Sequence, residues 1–209
     1  MNNNETLVQS LIRDGYLKHE PIIKAFQKVD RKLFLPSEVQ DRAYENTALA
    51  IGYKQTISQP LVVAFMLELL EPKVGEKILE IGSGSGWKTA LLAELVGETG
   101  KIVSLERIPE LYQMAKEQLQ NFGSLEKGNV ILAEGDGSLG YPNEMPFDKI
   151  TAAASAETIP DAWKEQLKIG GRIVAPVKES IVVLEKISKD EFKTKEYFGF
   201  NFVPLVRGK

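Results

Sequence analysis

Residues 77–121 read KILEIGSGSGWKTALLAELVGETGKIVSLERIPELYQMAKEQLQN, and this stretch decides the fold. An apolar run, Lys77 to Ile81, stops at Gly82-Ser83-Gly84-Ser85-Gly86. A helical pattern follows with Leu91, Leu92 and Leu95 on one side, then a second apolar run from Lys101 to Leu105 that ends on Glu106. Strand, glycine loop, helix, strand and acid form the layout of a nucleotide-binding half of a doubly wound sheet. Glycines let the backbone turn sharply and approach a ligand without a Cβ in the way. The helix start offers free N–H groups and a positive dipole end. Glu106 stands roughly 20 residues beyond the loop, where a carboxylate accepts both hydroxyls of a ribose.

Spacing narrows the ligand. A dinucleotide fingerprint needs glycine at the position held by Trp87. A P-loop also needs glycine there, ahead of Lys88-Thr89, so close packing onto a phosphate chain is not expected. The remaining pattern, (L/V)(D/E)xGxGxG with an acid closing the next strand, suits a nucleoside without phosphates. S-adenosylmethionine is the commonest such ligand, and a plain structural turn is the alternative.

Composition sets the frame. The 209 residues suffice for one α/β domain over 1–209, with 1–70 as a helical region and site loop and 71–209 as the sheet. A net charge of −3 gives no reason to expect a nucleic-acid partner. The start, MNNNETLVQS, lacks the basic and apolar regions of a secretory signal. Leu61 to Leu70 is too short to span a bilayer and contains Glu68. A cytoplasmic protein, off the membrane and monomeric by default, is the expectation. With no cysteine, a disulfide, a zinc ribbon or a thiol nucleophile is excluded, and no metal site is visible. His19, the only histidine, would have to serve any Ser-His-Asp hydrolase; the run at Gly82–Gly86 is crowded with glycine rather than shaped as an elbow. His19 reads instead as an exposed helix residue.

The rest follows in chain order. Glu5 to Ile12 and Pro21 to Val29 have helical apolar spacing and are broken at Asp14-Gly15, and a charged, irregular stretch runs on to Glu45. Leu49 to Pro60, LAIGYKQTISQP, is either a solvated loop or a site loop dense in hydroxyls and amides. Ser58 is the expected N-cap of a helix over Leu61 to Leu70. Gly128 to Ala133 reads as a third strand ending at Gly135-Asp136-Gly137, where Asp136 either bonds an adenine amine or is a β-turn aspartate. Phe147 to Ala153 is a fourth strand, Asp161 to Leu167 a helix, and Lys168 to Pro176 a helix end, turn and fifth strand. Ile181 to Ile187 and Phe192 to Phe202 suit a terminal β-hairpin. The α/β class thus predicted is Rossmann-like: a seven-stranded, mostly parallel sheet with one reversed strand, a terminal hairpin and an N-terminal helical region.

The ordered set of motifs resembles the protein-L-isoaspartate (D-aspartate) O-methyltransferases, a class I S-adenosylmethionine-dependent family, over nearly the whole chain. The residues that carry the likeness are Val29–Pro36, Ala43-Tyr44-Glu45, Ile51-Gly52, the family-specific block Gln55–Pro60, Leu79–Gly86, Gly135-Asp136-Gly137, Pro146-Phe147-Asp148, Ile159-Pro160, Gln166-Leu167, Gly170-Gly171-Arg172 and Phe202–Leu205. The resemblance implies methyl transfer from S-adenosylmethionine, leaving S-adenosyl-L-homocysteine, to the α-carboxylate of L-isoaspartyl residues in damaged proteins and peptides. It implies Ser58 as the active-site serine. Glu80, Gly82, Ser83, Gly84, Glu106, Asp136 and Gly137 would surround the cofactor, with Gln55 and Thr56 in the same loop. The chain departs from the family pattern at Trp87-Lys88, at Thr151-Ala152-Ala153 and at Ser155-Ala156-Glu157, the last two on the substrate side. A methyltransferase for another acceptor and a non-catalytic cofactor-binding protein are the competing readings.

Overall fold

The computed structural model describes residues 3–126 and 128–208. Helices α1 (Asn4–Arg13) and α2 (Glu20–Lys28) open the chain, as their apolar spacing predicts. The Asn3 side chain accepts from Thr6 N–H and caps α1, while Pro21 sits in the first turn of α2, where a missing N–H costs no hydrogen bond. His19 is not helical: it occupies the cap position of α2 and is hydrogen-bonded to Glu68. The charged stretch that follows is ordered by two 3₁₀ turns, Arg31–Phe34 and Ser37–Arg42.

The segment expected to be a loop is largely a two-stranded antiparallel hairpin, β1 (Leu49–Gly52) and β2 (Gln55–Ile57). Its turn places Tyr53 and Lys54 at positive φ, in place of the Asn-Gly pair that would announce such a turn in sequence. Helix α3 (Pro60–Leu70) follows, and here the cap expectation is corrected. Ser58 makes no capping bond; Asn46 Oδ1 accepts from Leu61 N–H at 3.0 Å instead, from 15 residues upstream.

The chain then lays down β3 (Lys77–Ile81), α4 (Trp87–Val96), β4 (Lys101–Glu106), α5 (Pro109–Asn121), β5 (Val130–Glu134), β6 (Phe147–Ala152), α6 (Asp161–Gln166), β7 (Leu167–Val177), β8 (Ser180–Lys186) and β9 (Phe192–Phe198). Seven of these strands form one sheet in the order β5-β4-β3-β6-β7-β8-β9, with β8 antiparallel to both neighbours and the others parallel. Strand β3 pairs with β4 on one side and β6 on the other, so the chain reverses direction across the sheet there. Ligands bind such open sheets at the carboxyl ends of the strands beside this switch point, which is where the glycine loop lies.

Alternation along β3 sends Leu79 and Ile81 to one face and Ile78 and Glu80 to the other. The first face is covered by α6 with the fully buried Trp163. The second carries α4 and α5, with α2 packed against α4 and α1 against α2. Helix α4 is therefore buried almost all round, from Trp87 to Val96, rather than on one leucine stripe. No described helix is long and apolar enough to cross a membrane.

Candidate active site

Three cavities meet where Thr56 and Ala153 stand. The first, about 90 Å³, is lined by Gln55, Thr56, Gly82, Gly84, Glu106, Ile108 and Gly137, and is closed on one side by Val203 to Val206. The second, an open cleft of about 350 Å³, is lined by Ala48, Thr56, Ser58, Gln59, Val62, Ala153, Asn201, Phe202 and Val203. The third is small, about 40 Å³, and lies between Ser58 and the glycine loop.

The floor of the first cavity is built by backbone. Gly82 and Ser83 N–H groups donate to Leu105 C=O at 2.8 and 3.1 Å, which stitches the glycine loop to the end of β4. Gly82 has φ +84°, a conformation glycine adopts without steric cost. Glu106 is the keystone of this floor. Its Oε2 accepts from Gly84 N–H at 3.0 Å, and its Oε1 accepts from Arg107 and Ile108 N–H at 2.9 and 3.0 Å. Each carboxylate oxygen can accept two bonds, so Oε2, which takes one, keeps acceptor capacity. Opposite, the Gly137 C=O accepts from Trp163 Nε1 at 2.8 Å, and a Cβ on Gly137 would come within 2.3 Å of Ile81 Cγ2. A Gly137→Ala chain is expected to be less stable by about 1–3 kcal/mol and to melt several degrees lower, since overpacking there must push β3 or the turn aside. An unchanged melting temperature would show that the turn gives way freely.

The wall of residues 203–206 comes from the chain end. Ser155 N–H donates to Val203 C=O at 2.8 Å, and Leu205 N–H donates back to Ser155 C=O at 2.7 Å. Gly208 N–H donates to Asp136 Oδ2 at 2.7 Å, while Asp136 Oδ1 accepts from Ser138 N–H at 2.8 Å. Partial burial alone would raise the Asp136 carboxyl, but these N–H donors hold it below its ordinary value. Asp136 thus caps a 3₁₀ turn and fastens the chain end, and it lines none of the described cavities. These two backbone bonds are those of a turn aspartate, and its neighbours Gly135 and Gly137 both line the first cavity.

Glu80 stands apart from the cavity surfaces. It lines no described cavity and is fully buried behind the glycine loop. Its Oε2 accepts from the Thr89 and Ser104 hydroxyls, and its Oε1 lies 3.6 Å from Lys88 Nζ. Burial pushes the Glu80 carboxyl up; the Lys88 ammonium and the two hydroxyl donors oppose that. Of the other expected residues, Gln55, Thr56, Gly82, Gly84, Glu106 and Gly137 line the first cavity, Ser58 lines the second and third, and Ser83 lines the third alone.

Sequence reasoning missed Arg31. This arginine is fully buried after α2, and its guanidinium binds four carbonyls. Nη1 donates to Ala43 and Glu45 at 2.7 and 3.3 Å, and Nη2 donates to Thr47 and Ser58 at 2.9 and 3.2 Å. Its carbon lies 5.4 Å from the Trp87 ring, which meets Phe26 edge-on at 5.6 Å and donates Nε1–H to Val29 C=O at 3.3 Å. Burial pushes the Arg31 guanidinium down to about 10, still cationic at neutral pH. Trp87, a departure from the expected pattern, is thus the packing surface between α4 and the N-terminal region. Of the other departures, Thr151 is buried in β6, Ala153 stands where the cavities meet, and Ser155 holds the chain end.

The cavities fit a nucleoside-bearing sulfonium compound. A glycine floor admits close approach, the Glu106 carboxylate lines the same cavity, and no phosphate cradle is present among the described residues. Comparisons with known proteins agree. A model of the protein-L-isoaspartate (D-aspartate) O-methyltransferase family matches residues 2–209. A protein-L-isoaspartate O-methyltransferase of Ignicoccus hospitalis is 45% identical over 204 residues, covering 96% of this chain and 95% of its own. Protein-L-isoaspartate O-methyltransferase 1 of Archaeoglobus fulgidus is 46% identical over 195 residues, covering 93% and 89%. In structure, a Plasmodium falciparum chain assigned as a protein-L-isoaspartate O-methyltransferase, crystallised with S-adenosyl-L-homocysteine, superposes with a TM-score of 0.90 over 100% of both chains at 23% identity; it shows the fold.

Proposed function

This chain belongs to the protein-L-isoaspartate (D-aspartate) O-methyltransferase family, and from that premise we propose how its residues carry out methyl transfer to the α-carboxylate of L-isoaspartyl residues in damaged proteins. S-adenosylmethionine, held by the first cavity, supplies the electrophilic methyl group. Glu106 and the close approach that the glycine loop allows would hold its nucleoside, and Val203 to Val206 would exclude water from it. The open cleft at Ser58, Gln59 and Asn201 would take the peptide.

The observation that carries this reading is the place of Ser58. It lines the open cleft and also the small cavity beside the glycine loop, and its carbonyl is anchored by Arg31. A carboxylate acceptor, with a reference pKa near 4, is ionised at neutral pH, so transfer needs no general base. Among the described residues, no histidine, cysteine or lysine lines the cleft. Catalysis then rests on alignment and exclusion of water. The Ser58 hydroxyl would donate to the carboxylate and orient it rather than attack it. The methyl ester leaves the enzyme; the backbone amide nitrogen of the following residue attacks the ester carbonyl, giving up its proton as methanol is expelled, and hydrolysis of the resulting succinimide returns part of the chain to aspartate.

Two measurements test this. Labelled methyl from S-adenosylmethionine should appear as base-labile label on an isoaspartyl peptide and not on its aspartyl twin. No label on either, with S-adenosylhomocysteine still bound, would move the chain to another acceptor. Ser58→Ala should lower kcat by about 10²-fold, the order of effect of one orienting donor, while the Kd for S-adenosylhomocysteine stays within twofold. Equal loss of both would make Ser58 a cofactor residue instead.

A further inference from the structure

A separate hollow of about 170 Å³ lies at the far end of α3 from Ser58, lined by Leu69, Arg172, Glu185, Lys193, Lys195 and Tyr197 among others. Its charges do not balance. Arg172 donates to the Leu69 C=O at 2.7 Å and lies 2.7 Å from a Glu71 carboxylate oxygen and 2.6 Å from a Glu185 one, so one guanidinium engages both acids of the hollow. Lys193 stands opposite Glu185 in the β8–β9 pairing and Lys195 opposite Val183. Among the described residues neither ammonium forms an ion pair; Lys195 Nζ lies over the Tyr197 ring at 4.8 Å instead. Three cations thus meet two carboxylates, on a chain whose net charge is −3.

One face of α3 joins this hollow to the open cleft. Val62 lines the cleft and Leu69 lines the hollow, and with Phe65 between them the spacing of three and four residues puts all three on one side of the helix. The facing chain runs in step, since Asn201 and Phe202 line the cleft and Tyr197 the hollow. Midway, Phe65 stacks on Phe200 with 5.4 Å between ring centres and 12° between planes, and meets Tyr197 edge-on at 5.2 Å. The three rings are half-buried, so they make a ridge that keeps some apolar surface toward solvent. Strand β9 is the last of the sheet, and no further strand lies beyond it. From Val62 to Leu69 the helix rises about 10 Å, the length of about three residues of extended chain.

We propose that the furrow between α3 and β9 is the distal part of the acceptor site, and that Lys193 and Lys195 select an acidic side chain about four to six residues from the isoaspartyl residue. The occupant follows from continuity and charge. A peptide leaving the cleft past Val62 crosses the aromatic ridge and arrives at the two unpaired ammonium groups. No charged side chain lines the cleft among the described residues, so the charge of the acceptor is read beyond it. The inference rests on the methyltransferase reading and adds a substrate class to it, damaged segments with an acidic flank. Exposed charges act weakly and are screened by salt, so the effect is a preference and not a requirement.

The test uses isoaspartyl peptides that carry either glutamate or lysine at one position about three to seven residues away on either side, with a short peptide that ends inside the cleft as the reference. Binding is measured by calorimetry at saturating S-adenosylhomocysteine, and methyl transfer is scored separately. At low ionic strength at least one glutamate peptide should bind about fivefold more tightly than its lysine twin, the upper end for an exposed charge contact. In ~1 M salt, where the screening length is about 3 Å, the difference should vanish. Lys193→Gln with Lys195→Gln should abolish the preference, and Lys193→Glu with Lys195→Glu should reverse it. Both lysines are exposed, so these chains should fold and should methylate the short peptide at the wild-type rate. No preference in the wild-type chain, or one that survives both variants, overturns the distal site. So does a chain that sediments as a dimer until the lysines are changed, which would give the furrow to a second copy. Transfer to the short peptide with no distal preference sinks only this inference; a lysine-dependent preference without transfer sinks only the methyl-transfer reading.

Discussion

Arg31→Met should lose about 3–5 kcal/mol of stability, in the range of a broken buried charge network, and nearly all turnover. Methionine fills comparable volume but donates nothing, so four carbonyls, those of Ala43, Glu45, Thr47 and Ser58, lose their common donor. Carbonyls left dry in a packed interior are expensive, and the segment carrying them would shift toward water. That segment includes Ser58 and the approach to α3. The loss would therefore fall on both the melting temperature and on kcat, while the sheet and the glycine loop stay in place. Arg31→Lys is the informative companion: lysine keeps the charge but cannot span four acceptors as a planar fork. Unfolding in denaturant and steady-state rates together check this. Arg31→Met with wild-type kcat would mean that Ser58 is positioned by its own strand and not by the arginine.

That network also marks where sequence reading stops. The unit from Lys77 to Glu106 is legible because parallel strands buried on both faces read as apolar runs, and glycine and a strand-ending acid are local signals. Glu80 follows Leu79 and precedes Ile81, so alternation alone sends it to the opposite face from them, toward α4. The hairpin from Leu49 to Ile57 was not legible, because Tyr53 and Lys54 make its turn without a glycine or asparagine. Ser58 has the right residue type for a helix cap, yet Asn46 reaches the helix from elsewhere and leaves Ser58 facing the cavities. Arg31, the Asp136–Gly208 tie and the wall at Val203 to Val206 join residues far apart in sequence. No periodicity encodes such contacts, and the hairpin reading, which ends at Phe202, does not say that Val203 to Val206 cross the pocket.

The other large effect is expected at Glu106, and its physical basis sets apart substitutions that look conservative. All three protein groups facing this carboxylate are N–H donors, from Gly84, Arg107 and Ile108. Glu106→Ala leaves them without an acceptor. Because the space opens onto the first cavity, water can enter and partner them, which limits the stability loss to about 1–3 kcal/mol. Affinity fares worse, because the loop position and the ribose acceptor go together; the Kd for S-adenosylhomocysteine should rise at least about 100-fold, the cost of two lost charged hydrogen bonds. Glu106→Gln should do no better. Its one carbonyl oxygen can serve either the Gly84 side or the Arg107 and Ile108 side, and its amide then points N–H groups at N–H groups. An amide thus adds a donor clash that alanine avoids. Calorimetric titration of S-adenosylhomocysteine into wild type, Glu106→Ala and Glu106→Gln decides the matter. A glutamine variant within threefold of wild type would show that shape alone holds the nucleoside; an equal or deeper loss than alanine would show that a doubly accepting, ionised side chain is what the end of β4 must supply.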